Sequence, residues 1–267
     1  MNTNASFRSI RGEVSAEEWQ TRVDLAACYR LVDRYGMTDM IYNHITARVP
    51  GPEHHLLINL YGLTYREITA SSLVKIDLDG EIIWKPETDY GINKSGYVIH
   101  GCIHRARKDV ACVLHTHTSA GMAVSAMKCG LLPLTQTSIR FVGHLGYHDY
   151  EGPATDLDER ERLVRDLGDT KQMLLRNHGT LALGATPGEA WSGIYQLESA
   201  CSVQVRALAG GRDHVLIAPE AAQEEVRRQQ QVRPTAAVAR EGGKPHSQLV
   251  WEAVLRRVQR ELPGYDS

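Results

Sequence analysis

Two short apolar runs, each finishing on histidine, constrain this chain more than any other feature. Val110–Leu114 reads VACVL and leads into His115-Thr116-His117; QMLLRN (172–177) leads into His178-Gly179. Short, largely apolar runs of this kind read as buried strands. On an extended chain residues i and i+2 face the same side, so the two imidazoles of the first motif can grip one ion together. If the two strands are neighbours, a third imidazole joins them. Three protein nitrogens with open positions left over describe a catalytic metal site, whereas a structural one is closed.

The segments around these runs set the fold class. Glu17–Tyr35 repeats its apolar residues at helical spacing, with Ser15 as N-cap and Gly36 as stop. IYNHITARV, HLLINLYG and SLVKIDL are β-rich, and Asp79-Gly80 is a hairpin turn, so residues 41–84 are expected to form an antiparallel meander. Further helices are expected over 96–108, over Thr118–Met127, and from Thr186-Pro187 to about Leu208. Further strands are expected around 140–147, at QMLLRN and at LALG. The chain therefore divides into a polar arm (1–15), one α/β domain of the α+β type (16–232), and a linker with a terminal helix (233–267, helical over 249–260). No Rossmann or Walker glycine loop is present.

Charge and cysteine content narrow the function. A net charge of -2 gives no bulk drive toward nucleic acid or a membrane surface. No 18-residue apolar run and no secretory h-region are found, so a cytoplasmic location is expected. The five cysteines form no CxxC pair and read as free, mostly buried thiols. Among the twelve histidines, His100/His104 and His144/His148 are competing i, i+4 pairs. His100 is better placed for substrate contact than for ligation.

At this point several segments, in order, resemble a known family. YNHITARVPGPEHHLLIN, YGLTYREITASSLVKIDLDG, VIHGCIHRARKDVACVLHTHT, YHDYEG and LLRNHGTLALG are similar to the class II aldolase/adducin family, in its longer, adducin-head-like branch. The resemblance runs over about residues 20–210. It implies a central, mostly antiparallel β-sheet with helices on both faces. It implies one divalent metal per subunit (zinc, manganese or Fe(II)) on His115, His117 and His178. It also implies a homotetramer with sites between subunits, and substrate contacts from Asn43, from the loop around Gly62, and from Ser95. One departure stands out. The family's sugar-phosphate aldolases carry an acid/base glutamate 19 residues before the first metal histidine, and here that position is Gly96. Their proton-donating tyrosine has no counterpart in LPLTQTSIR.

Ordinary sugar-phosphate aldol chemistry is therefore not expected. A cationic site without its glutamate suits a small carbonyl compound or 2-oxo or hydroxy acid that brings its own anion, cleaved at a C–C bond in lyase or decarboxylase fashion. His100 and Tyr147 are candidates to move the proton. An alternative is a non-haem Fe(II) dioxygenase, as in the aldolase-like proteins of aminocoumarin antibiotic biosynthesis. Those oxidatively decarboxylate a prenylated hydroxyphenylpyruvate or mandelate to a hydroxybenzoate. A third reading is an adducin-like interaction module without catalysis, which has no need of three convergent histidines.

Overall fold

Eight short strands make up the sheet: β1 (Ile45–Arg48), β2 (Leu56–Ile58), β3 (Val74–Ile76), β4 (Ile82–Trp84), β5 (Cys112–Thr116), β6 (Leu145–His148), β7 (Gln172–Leu175) and β8 (Gly179–Gly184). In the computed structural model, which describes residues 7–152, 157–232 and 244–267, they form one sheet in the order β4-β3-β2-β1-β5-β8-β7-β6. The first four are the expected antiparallel meander. Its tightest turn is Asp79-Gly80, where Gly80 takes φ +82 and donates its N–H to Asp77 O at 3.2 Å. All the paired strands are antiparallel except β6 and β7.

Helices cover both faces of the sheet. On one side lie α1 (Ala16–Arg34), α3 (Ser119–Ser125), α6 (Pro187–Leu208) and α8 (His246–Glu261); on the other lie α2 (Lys94–Ala106) and α5 (Leu157–Leu167). Local chemistry sets the helix starts. Ser15, Thr118 and Thr186 each accept a backbone N–H three residues on, a cap that stabilises by about 1 kcal/mol. Strand alternation sorts the core. In β5, Cys112 and Leu114 pack toward α1 and α6, while Val113 joins α2 and α5. Cys28, Cys102, Cys112 and Cys201 are buried free thiols, and Cys129 is an exposed one.

Several expectations need correction. The strand expected from 140 begins only at Leu145, because Thr135 and Ser138 cap each other and fold Gln136–Ile139 into a helical turn, α4. The charged helices α5 and α7 (Glu220–Val232) were not anticipated. The polar arm through residue 6 and the linker residues 233–243 lie outside the described residues. The terminal helix starts earlier than expected, at His246, and joins the core. Val258, Leu262 and Tyr265 are buried with α1 and α6, and the N–H groups of Ala70 and Ser71 reach Tyr265 O and Ser267 O.

Candidate metal centre and its cavity

Pairing of β5 with β8 and of β8 with β7 brings the two histidine-bearing strand ends together. His117 Nε2 lies 2.7 Å from His115 Nε2 and 3.0 Å from His178 Nε2, and the three ligand atoms fall within 4.8 Å of one another. For His115 and His117 the outer nitrogens fix the tautomers. His115 Nδ1 donates to Thr180 O at 2.8 Å, and His117 Nδ1 faces Asp39 Oδ2 at 3.0 Å. The lone pairs of Nε2 therefore converge on one point. Neutral nitrogens held this close repel unless a cation sits among them, so the donor set fits a divalent metal. Burial, followed by the charges of His178 and His117, pushes His115 well below the usual imidazole range. Burial, followed by His117, takes His178 to about 4. Both are neutral ligands at neutral pH, as ligation requires.

The supporting structure is as specific as the ligands. Asp39 donates its backbone N–H to Asn43 Oδ1 at 2.7 Å, so Asn43 fixes the loop that orients His117. His178 follows Asn177, a non-glycine residue at φ +54. On the far side of the strand ends, the hydroxyls of Thr116, Thr118 and Thr180 surround the Glu198 carboxylate of α6, which is buried. In His115-Thr116-His117-Thr118 the histidines turn one way and the threonines the other, and Glu198 clamps the threonine side. The clamp's only signal in the sequence was the alternation of Thr with His.

The ligands open onto a cavity of about 450 Å³ between α2 and α5, whose wall includes His44, Gly96, His148, Glu159 and Arg176. His44 stacks on His100 with ring centroids 4.0 Å apart and lies over Gly96. A Cβ on residue 96 would meet His44 Cε1 at 2.8 Å, so the imidazole fills the space beside the missing side chain. Burial, followed by the charge of His117, pushes His44 down to about 4.

The remaining expected site residues divide. His100 is fully buried behind His44 and contacts Thr46 Oγ1 through Nδ1 at 2.8 Å, so it does not line the cavity. Tyr147 points to the opposite sheet face, where its hydroxyl accepts Leu131 N–H at 3.1 Å. Its ring supports Arg176 at 4.5 Å. Strand parity excludes it from the cavity and places its neighbour His148 there. Asn43 and Gly62 do not line the cavity either; Gly62, at φ +116, lies under the Tyr90 ring. Ser95 is in the first turn of α2, and its side chain lies outside the described residues. His144 is exposed ahead of β6. The sequence also missed the carboxylates near the ligands: Asp39 beside His117, and Glu159 on the cavity wall.

Residues 23–205 match the family model described as the class II aldolase and adducin N-terminal domain. The chain belongs to the class II aldolase/adducin family. It is 56% identical over 257 residues to a Caulobacter vibrioides protein that carries an aldolase class 2 name, covering 96% of each chain. It is 46% identical over 199 residues to Rattus norvegicus alpha-adducin, covering 73% of this chain and 27% of that protein. Among solved structures, an aldolase II superfamily protein from Pseudomonas syringae matches with a TM-score of 0.89 and 46% identity, covering 97% of this chain and all of that one. This class II aldolase fold is the architecture expected from the sequence. No described helix is long and apolar enough to cross a membrane.

Proposed function

We infer that this protein is a metal-dependent lyase that breaks a C–C bond in a small 2-oxo or hydroxy acid. The observation that carries this reading is the convergence of three Nε2 atoms, with tautomers set by Thr180 O and Asp39, at the wall of a cavity of about 450 Å³. A divalent metal there, once bound, would act as a Lewis acid toward the substrate carbonyl. His115, His117 and His178 would hold it. The anion of the substrate would meet the metal itself, because the Arg176 guanidinium is turned to the opposite face, over the Tyr147 ring and onto Met127 O at 2.8 Å. The loss of the glutamate at position 96 argues against a sugar-phosphate aldol substrate. A decarboxylation starts without a base and needs only a later proton transfer to carbon, whereas a retro-aldol cleavage also needs a group to take the hydroxyl proton as the new carbonyl forms.

The assembly belongs to the same proposal. Met40, Tyr42, Met122 and Tyr150 are exposed apolar residues, and Tyr42, Met122 and Tyr150 also line the cavity. Their exposure suits a homotetramer whose subunits meet near the sites, which light scattering tests.

The first experiment is elemental mass spectrometry on protein purified anaerobically without chelator, alongside a cleavage assay on 2-oxo and hydroxy acids. The expected result is about one zinc or manganese per chain, lost in His115→Ala, with metal-dependent cleavage. Iron with O2 uptake on arylpyruvates would transfer the reading to a dioxygenase. No metal in either protein would leave a binding module.

A further inference from the structure

The missing glutamate leaves the cavity in need of a group that moves a proton at carbon. Three features single out His148. It is 4% exposed, at the C-terminal end of β6 and on the cavity wall with the metal ligands. Its Nδ1 lies 2.8 Å from Asp166 Oδ2 on α5. Its Nε2 has no hydrogen-bond partner and faces Glu159 Oε1 at 3.9 Å, and Glu159 is a buried carboxylate lining the same cavity. A base held by an orienting carboxylate, with its other nitrogen buried but unpaired in the wall of a cavity, is the arrangement that proton transfer requires. Burial raises the Asp166 carboxyl, but the bonds to His148 and Arg165 outweigh it and hold the group below its ordinary value. It therefore stays an anion at neutral pH and keeps Nδ1 the protonated nitrogen.

We propose that His148 is the catalytic acid/base of this enzyme, with Asp166 as its positioning residue and Glu159 as the carboxylate that receives or returns its proton. The assignment rests on the lyase reading above. In the enolising direction, the C–H bond next to the substrate carbonyl breaks. Its electron pair becomes the C=C bond of the enolate while the carbonyl π pair moves to oxygen, and the proton goes to His148 Nε2. After C–C cleavage the transfer reverses: the N–H bond breaks, its electrons stay on Nε2, and the enolate carbon gains the hydrogen. His44 is the rival on the opposite wall, but no carboxylate or other side chain bonds its ring nitrogens to orient it.

The test is exchange of the methyl protons of pyruvate and of hydroxyacetone in D2O, followed by proton NMR with the metal-loaded protein. Wild type is expected to exchange them, and His148→Gln to lose ~100-fold or more with metal content and melting temperature unchanged. Asp166→Asn loses less. His148→Ala regains exchange when imidazole is added, which a purely structural histidine would not do. His148→Gln exchanging at the wild-type rate, or losing its metal, overturns the assignment and leaves the lyase reading standing. A wild-type protein that binds metal yet exchanges neither probe overturns both.

Discussion

Gly179→Ala would test the metal site without touching a ligand. Gly179 opens β8 opposite the end of β5, and a Cβ there would lie 2.4 Å from Thr116 O and 3.2 Å from both His115 Cε1 and His117 Cδ2. Ordinary contact begins near 3.4 Å, so the two strand ends must part by 3.4 − 2.4 = 1.0 Å. The atom in the way is backbone and cannot swing aside. Separating β5 from β8 moves His115 and His117 away from His178, because the first two ride on one strand and the third precedes the other. Overpacking of this kind costs about 1–3 kcal/mol, which in a chain of this size lowers the melting temperature by roughly 2–4 °C per kcal/mol. Metal affinity should fall about 10–100-fold, as for other changes just outside a ligand set.

Competition against a chromophoric chelator would measure the affinity, and calorimetry the melting. Gly12→Ala is the control, since a Cβ at Gly12 meets nothing within 4 Å. If Gly179→Ala binds metal within about twofold of Gly12→Ala, well inside the change expected just outside a ligand set, and melts with it, the close approach does not set the site geometry and the reasoning fails.

Other expectations follow from the same contacts. Glu198→Leu leaves three threonine hydroxyls without their shared acceptor; it should destabilise by about 1–3 kcal/mol and weaken metal binding, whereas Glu198→Gln should retain much of both. A melting point for Glu198→Leu equal to wild type would remove the clamp from the account. Acid should also destabilise the protein through His104, which burial and Arg48 push from 6.5 to about 3. The unfolded chain then binds the extra proton first, so stability is full above pH 6.5 and is lost as pH falls toward 3. At about 1.4 kcal/mol per unit, roughly 2 kcal/mol is gone by pH 5. His104→Gln should flatten that slope in urea titrations, and an unchanged slope would contradict it.

What was legible in the sequence was what local periodicity dictates. The helix caps at Ser15 and Thr186 and the Asp79-Gly80 turn are each fixed by a few neighbouring residues. So is the shared face of His115 and His117, and His178 followed because a second apolar run ended on it. The hidden half of the cavity comes from α5, whose sequence LDERERLVRDL has too few apolar residues to announce a packed helix. Leu163 and Leu167 are its buried apolar contacts, yet they suffice to bring Glu159 and Asp166 to the site. The choice between Tyr147 and His148 was beyond periodicity for a different reason. Strand faces alternate with each residue, so an error of one in phase exchanges the cavity for the opposite core. The phase of β6 is set by its parallel register, His148 opposite Leu175, and that pairing joins segments far apart in the chain. A residue's candidacy for proton transfer thus depended on a contact that no local pattern encodes, which is why the tyrosine was read as a proton carrier and the histidine beside it only as half of a competing ligand pair.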